Sequence, residues 1–197
     1  TCALPIYGGG VTEPKGFVEV LRNLKEKHKL DLVEVSIPEE KSYLFKTTVL
    51  GDNLKEIKSN IELQIQDNVP FRLSEVIFDF SVISDKKEGK RDVVVSVIPR
   101  TVVEQYVKSF QTAGFVLTSF QVESQAVTKA VVPRGNKDSV LVVNIQGKKA
   151  GFYIVTEQTV RFSSTVSIDG SDTGVNILDG SSPAKVEDKG VHTDTLV

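Results

Sequence analysis

The sequence predicts an α/β protein, and three observations carry that reading. Between Ser42 and Val122, apolar periodicity alternates in the order strand, helix, strand, strand, helix, strand. Two capping signatures, Asn53 with Glu56 and Thr101 with Glu104, mark where the two helices of that run begin. Ser139 to Ile168 then reads as three successive strands divided by two short polar breaks.

Taken in order, Tyr7-Gly8-Gly9-Gly10 is a flexible start. Thr12 is placed to cap a helix with Pro14 in its first turn, and Phe17, Val20, Leu21, Leu24 and His28 fall near one face. Asp31–Ile37 reads as a strand through Leu32, Val33, Val35 and Ile37, closed by Pro38. Ser42–Leu50 is the next strand, and Leu54, Ile57, Ile61 and Ile65 follow at helical spacing until the break around Pro70. In Glu75–Ile83, Val76, Phe78, Phe80 and Val82 share one face and Ile77, Asp79 and Ser81 the other. Residues 85–90 form a charged hairpin loop, and Asp92–Ile98 is an unbroken apolar strand. Val103, Tyr106, Val107 and Phe110 make the buried stripe of the second helix, which Gly114 ends before the strand Phe115–Val122. The six elements from Ser42 to Val122 are expected to form one four-stranded sheet with both helices on the same face, since Ile57, Ile61, Val103 and Phe110 need an apolar surface.

Glu123–Val132 is a short helix, and Pro133-Arg134-Gly135-Asn136 links it to the last three strands. Val140–Ile145 has the composition of a strand covered on both faces. The Gln146-Gly147-Lys148-Lys149 turn leads to Ala150–Val155, and Thr156–Thr159 to Val160–Ile168. In that last strand Val160, Phe162, Val166 and Ile168 are expected on one face, with Arg161, Ser163, Thr165 and Ser167 on the other. Beyond Gly170 the chain is polar, with Val175, Ile177 and Leu178 close together, and reads as a tail or a truncated remnant. At the other end Thr1–Ile6 reads as a translated adapter sequence.

Composition excludes several classes of function. With 197 residues, 40% hydrophobic and 25% charged, the chain can bury a real core. A net charge of −2 gives no general attraction to nucleic acid or anionic lipid. No apolar run approaches the roughly 20 residues of a membrane span. Cys2 is the single cysteine, so no internal disulfide forms. His28 and distant His192 are the only histidines and no metal site is expected. Phosphate-loop, Ser-His-Asp, cysteine-cluster and HExxH patterns are missing from the sequence. The strand Val93–Ile98 lacks the stacking aromatics of an RNA-binding sheet, and Phe78 and Phe80 read as core. Asp79, Glu123 and Asp169 are too distant in sequence to read as a carboxylate pair.

Several consecutive stretches resemble the type IV pilus assembly protein PilM family, which has an actin-like, FtsA-related fold. VEVSIPEEKSYLFKTTVL resembles its strand, Pro-Glu turn and strand. VPFRLSEVIFDFSVI resembles its helix-to-strand signature through Pro70, Phe71, Glu75, Val76, Asp79 and Phe80. VVVSVIPRTVVEQYVKSFQTAGFVLTSFQVESQAVTKAV resembles the strand, helix, strand and connecting helix that follow, including Val122-Glu123-Ser124. The similarity runs from about Phe17 to Gly170 with the pieces in the same order.

That resemblance implies a fragment of an actin-like fold carrying an inserted βαββαβ, SHS2-like module. It divides the chain into a non-native or disordered end at 1–10, remains of the first actin-like subdomain at 11–38 and 123–136, the module at 39–122, the start of the second subdomain at 137–170, and a tail at 171–197. It further implies a cytoplasmic scaffold at the inner-membrane face, in a type IV pilus or type II secretion platform, that binds the cytoplasmic tail of a PilN-like membrane protein. The peptide groove is expected where the module meets the first subdomain, near Val35, Ile37 and Pro38. An actin-like ATPase, or an FtsA-like division adaptor, is the alternative. The family's second phosphate loop, usually Asp-Ile-Gly, aligns with Asn144-Ile145-Gln146-Gly147-Lys148-Lys149, so the aspartate and its glycine are replaced. Glu123 aligns near the residue that orients water in such ATPases. Asn144, Gly147, Lys148 and Glu123 therefore outline a degenerate nucleotide site, and no cofactor is expected for this chain, although ATP with Mg²⁺ is possible in the family.

Overall fold

The predicted order of elements holds, while several of the predicted partners differ. The computed structural model describes residues 6–7, 10–85 and 89–168, so Cys2, Asp169, His192 and the tail lie outside the described residues. The elements are β1 (Ile6–Tyr7), β2 (Gly10–Val11), α1 (Pro14–His28), β3 (Leu32–Ile37), β4 (Tyr43–Leu50), α2 (Leu54–Asn68), β5 (Val76–Asp85), β6 (Lys90–Pro99), α3 (Arg100–Thr112), β7 (Val116–Val122), α4 (Glu123–Val131), β8 (Ser139–Gln146), β9 (Lys149–Thr156) and β10 (Thr159–Ser167). A single 3-10 turn, Glu39–Lys41, joins β3 to β4.

The run Ser42–Val122 does not close into one four-stranded sheet. Strands β4, β6 and β5 form an antiparallel sheet with β6 in the centre, while β7 leaves it and pairs in parallel with β3. The two helices of the run consequently serve different cores. Helix α2 lays Ile57, Ile61 and Ile65, one per turn, on Val93, Val95 and Val97 of β6. Helix α3 packs Tyr106 with Phe17 and Leu21 of α1 over Val35 and Ile37 of β3. Edge-to-face rings join this second core: Phe17 to Tyr106 at 6.0 Å, Phe17 to Phe110 at 5.9 Å, and Phe110 to Phe115 at 5.7 Å. Apolar stripes require a surface, but periodicity does not say which one, and the aromatic set drew α3 to α1.

Caps differ in detail. Asn53 Oδ1 accepts from Lys55 N and Glu56 N, and the Glu56 carboxylate accepts from Asp52 N, so the predicted start of α2 is correct. Glu13, rather than Thr12, caps α1 by accepting from Gly16 N. Thr101 lies inside α3, which begins at Arg100 after Pro99 without a side-chain cap, because the strand β6 runs straight into the helix.

The antiparallel meander β8-β9-β10 holds the third core, in which Tyr153, Val155 and Val160 pack against Val127 and Val132 around α4 and against Leu44 of β4. Two sequence expectations change here. Strand β8 lies at the edge of this sheet, with Leu141, Val143 and Ile145 exposed. A bulge between Val160 and Phe162 divides the apolar residues of β10. Val160 pairs with buried Val155, while Phe162 pairs with exposed Ile154 and, like Val166, faces outward.

Candidate functional site

The third core ends in a buried polar cluster where β3, α4 and the meander converge. Strand β3 stops at Pro38, and the 3-10 turn that follows brings Glu39 against α4 and Glu40 against Lys149. Glu123 is the first residue of α4, where a carboxylate is favoured by the exposed N–H groups and the positive end of the helix dipole. Glu39 and Glu123 are both buried, at 8% exposure, and each accepts a main-chain N–H from the other's segment. Glu39 N donates to Glu123 Oε2 at 3.2 Å, and Ser124 N donates to Glu39 Oε2 at 3.0 Å. Burial of two carboxylates is tolerable only with such partners and a compensating cation.

Lys149, the first residue of β9, supplies the cation. Its Nζ lies 2.9 Å from Glu123 Oε2 and 3.2 Å from Glu40 Oε1. Burial pushes the Lys149 ammonium toward deprotonation, but the hydrogen bonds and charges of Glu123 and Glu40 outweigh it and raise its pKa above the usual lysine value. From β8, Asn144 Nδ2 donates to Glu123 Oε1 at 3.2 Å. The Tyr153 hydroxyl shares a hydrogen bond with Asn144, and its pKa is raised, first by burial and then by the charges of Glu123 and Glu39, against the lowering effects of Asn144 and Lys149. Gly151 lies directly under the Tyr153 ring, in space that any Cβ would invade.

Of the predicted nucleotide residues, the fold thus brings Glu123 and Asn144 together and adds Lys149. Gly147 and Lys148 stand apart at the exposed hairpin tip, where Gly147 takes a φ of 57° to make a two-residue turn. The aligned loop positions are engaged with one another: Asn144 is bound to Glu123, and Gln146 Nε2 reaches Asn144 Oδ1 at 3.5 Å. No group of three His, Cys, Asp or Glu side chains is placed to hold a metal ion among the described residues. Asp79 lies elsewhere, exposed on β5, accepting from Phe80 N.

The predicted partner residues divide as well. Val35 and Ile37 are core, with Ile37 fully buried, and offer no side chain to a groove. Pro38 lines a cleft of about 450 Å³ with Ser36, Glu123, Ala126, Gln146 and Lys149. A wider groove of about 650 Å³ runs where α1 meets α3, floored by Val11 and Val18 and edged by Lys15, Arg22 and Lys108. Glu39, Glu40, Lys149 and Tyr153 were the members of the polar cluster that pattern reading did not assemble. The Pro-Glu turn and the Gly151-x-Tyr153 spacing were the signals available for them.

No curated protein sequence matches the chain. Among solved structures, it is similar to a PilM–PilN type IV pilus biogenesis complex, with a TM-score of 0.73 and 18% identity over 85% of this chain and 52% of that one. It is also similar to the cytoplasmic domain of EpsL, an inner-membrane component of the type II secretion system of Vibrio cholerae, with a TM-score of 0.56 and 14% identity over 76% of this chain and 56% of that one. The chain spans about half the length of both, and shares their fold, which is part of an actin-like α/β architecture. No helix among the described residues is long and apolar enough to cross a membrane. The model of the family described as type IV pilus assembly protein PilM matches residues 6–180, and the chain belongs to that family.

Proposed function

We propose that this chain is part of a cytoplasmic scaffold at the inner-membrane face of a type IV pilus platform, and that it docks the cytoplasmic tail of a PilN-like membrane protein. The observation that carries the reading is family membership together with the fold shared with the solved PilM–PilN complex. In this reading the docking place is the groove between α1 and α3, whose apolar side chains share one core. Its apolar floor at Val11 and Val18 suits alternate side chains of an extended segment, and its rim of Lys15, Arg22 and Lys108 sets orientation. Val35 and Ile37 support that groove from within the core.

The scaffold does not turn over nucleotide in this reading. Support comes from the substituted loop, in which Asn144 and Gln146 replace the aspartate and glycine, and from Lys149, which two carboxylates already hold.

Fluorescence anisotropy with a labelled N-terminal tail peptide of a PilN-type protein, titrated with the full-length protein, tests the docking. Saturable binding that Val18→Asp abolishes is expected. A scrambled peptide of equal charge binding as well as the native one would reject it.

A further inference from the structure

Lys149 lies at a boundary that the docking reading does not use. Two clefts flank the polar cluster. One, of about 450 Å³, is bordered by Lys149 and Glu123; the other, of about 340 Å³, is bordered by Glu39, Glu40 and by Ser163 and Thr165 of β10. Lys149 borders the first cleft and Glu40 the second, and the two side chains are in contact. That contact is a charged link from the meander to the turn before β4, while the contact with Glu123 links the meander to α4.

We propose that Lys149 is a tethered counter-ion: its ammonium fills a cation position between Glu40 and Glu123, and so clamps the β8–β10 meander onto the turn that joins β3 to β4. Three carboxylates, Glu39, Glu40 and Glu123, meet here, and Lys149 is the cation bonded to two of them. The 11% exposure of the Glu123 side chain leaves water little access to replace the ammonium. The acceptors stand 2.9–3.4 Å from Nζ, the distance of hydrogen bonds from an ammonium, and no group of three ligating side chains among the described residues is placed to hold a metal ion. The position is therefore built for a primary ammonium, and a chain that lacks the lysine side chain should accept one from solution.

Three variants read this out. Lys149→Met keeps the stem and removes the charge, and should lower the thermal midpoint by about 5 °C or more, while Lys149→Arg retains most of it. Amide exchange should accelerate in Lys149→Met at Glu39, whose N–H donates to the clamped Glu123 carboxylate, and stay unchanged at Ile61 in the α2 core. Lys149→Ala lacks three carbons and the ammonium, which n-propylammonium supplies. That salt should restore its midpoint, while tetramethylammonium or Mg²⁺ at equal ionic strength should not, and wild type should gain nothing. A Lys149→Met protein that melts and exchanges like wild type overturns the clamp. So does a Lys149→Ala protein that responds equally to all three salts, or to none.

Discussion

Lys149 and Tyr153 make stability at this junction depend on alkaline pH. Both groups have folded values raised above their ordinary 10.5 and 10.0. A raised value means that the protonated form is favoured in the folded state. The resulting stability is fully present below about pH 10 and is lost as pH rises through the folded values. Tyr106, raised by burial and then by Glu40, works in the same direction. The facing carboxylates Glu123 and Glu40 are the source of the lysine's preference, against the opposing effect of burial. Chemical denaturation repeated from pH 8 to 11 should show stability falling above pH 10, with a shallower fall in Lys149→Met. At Gly151 the limiting quantity is space, because the Tyr153 ring occupies the site of a Cβ. Gly151→Ala should cost about 1–3 kcal/mol, read as a lower denaturant midpoint at unchanged slope.

At the scale of elements, the start of α2 and the turn between β9 and β10 illustrate opposite cases. Asn53 satisfies two of the helix's first N–H groups, and Asn53→Ala should cost about 1 kcal/mol in equilibrium unfolding. The β9–β10 turn places Glu157 and Gln158 at φ of 51° and 63°, a left-handed conformation without a glycine. Gln158 is held there because its Nε2 donates to Val132 O at 2.7 Å and Pro133 O at 2.9 Å. No comparable anchor is seen for Glu157 among the described contacts. Glu157→Gly should therefore stabilise the hairpin by about 0.5–1 kcal/mol, seen as a higher thermal midpoint. The bulge at Arg161 belongs to the same scale. It lets Val160 enter the core while Phe162 and Val166 face outward with Leu141, Val143 and Ile145.

For the molecule as a whole, α4 packs on the third core and its first residue, Glu123, faces the predicted nucleotide loop, so the proposed lack of tight nucleotide binding is tested there. A phosphate would need positive charge and open main-chain N–H groups near Gly147. Lys148 alone stands exposed at the tip, and an exposed lysine attracts phosphate weakly and in a salt-dependent manner. Mg-ATP titrated by calorimetry at physiological salt should bind with a Kd on the order of millimolar or weaker, equivalent to about 4 kcal/mol. Micromolar binding that Lys148→Ala removes would instead promote the ATPase reading over the scaffold.

The order of strands and helices, the α2 cap and the hairpin at Gly147 were determined by sequence alone, because each depends on residues within a few positions of one another. Ile57, Ile61 and Ile65 state a buried face by their spacing, and Asn53 with Glu56 states a helix start. Strand partners are different: β7 has the same alternation whichever strand it joins, and in the structure it pairs with β3 beside the aromatic core of Phe17, Tyr106 and Phe110. The polar cluster was out of reach for the same reason. Glu39 and Glu123 are separated by 84 residues, and Lys149 by a further 26 from Glu123, so no local pattern ties them. Their attraction acts through space at 3 Å, and only the tertiary structure brings the chain back to that distance.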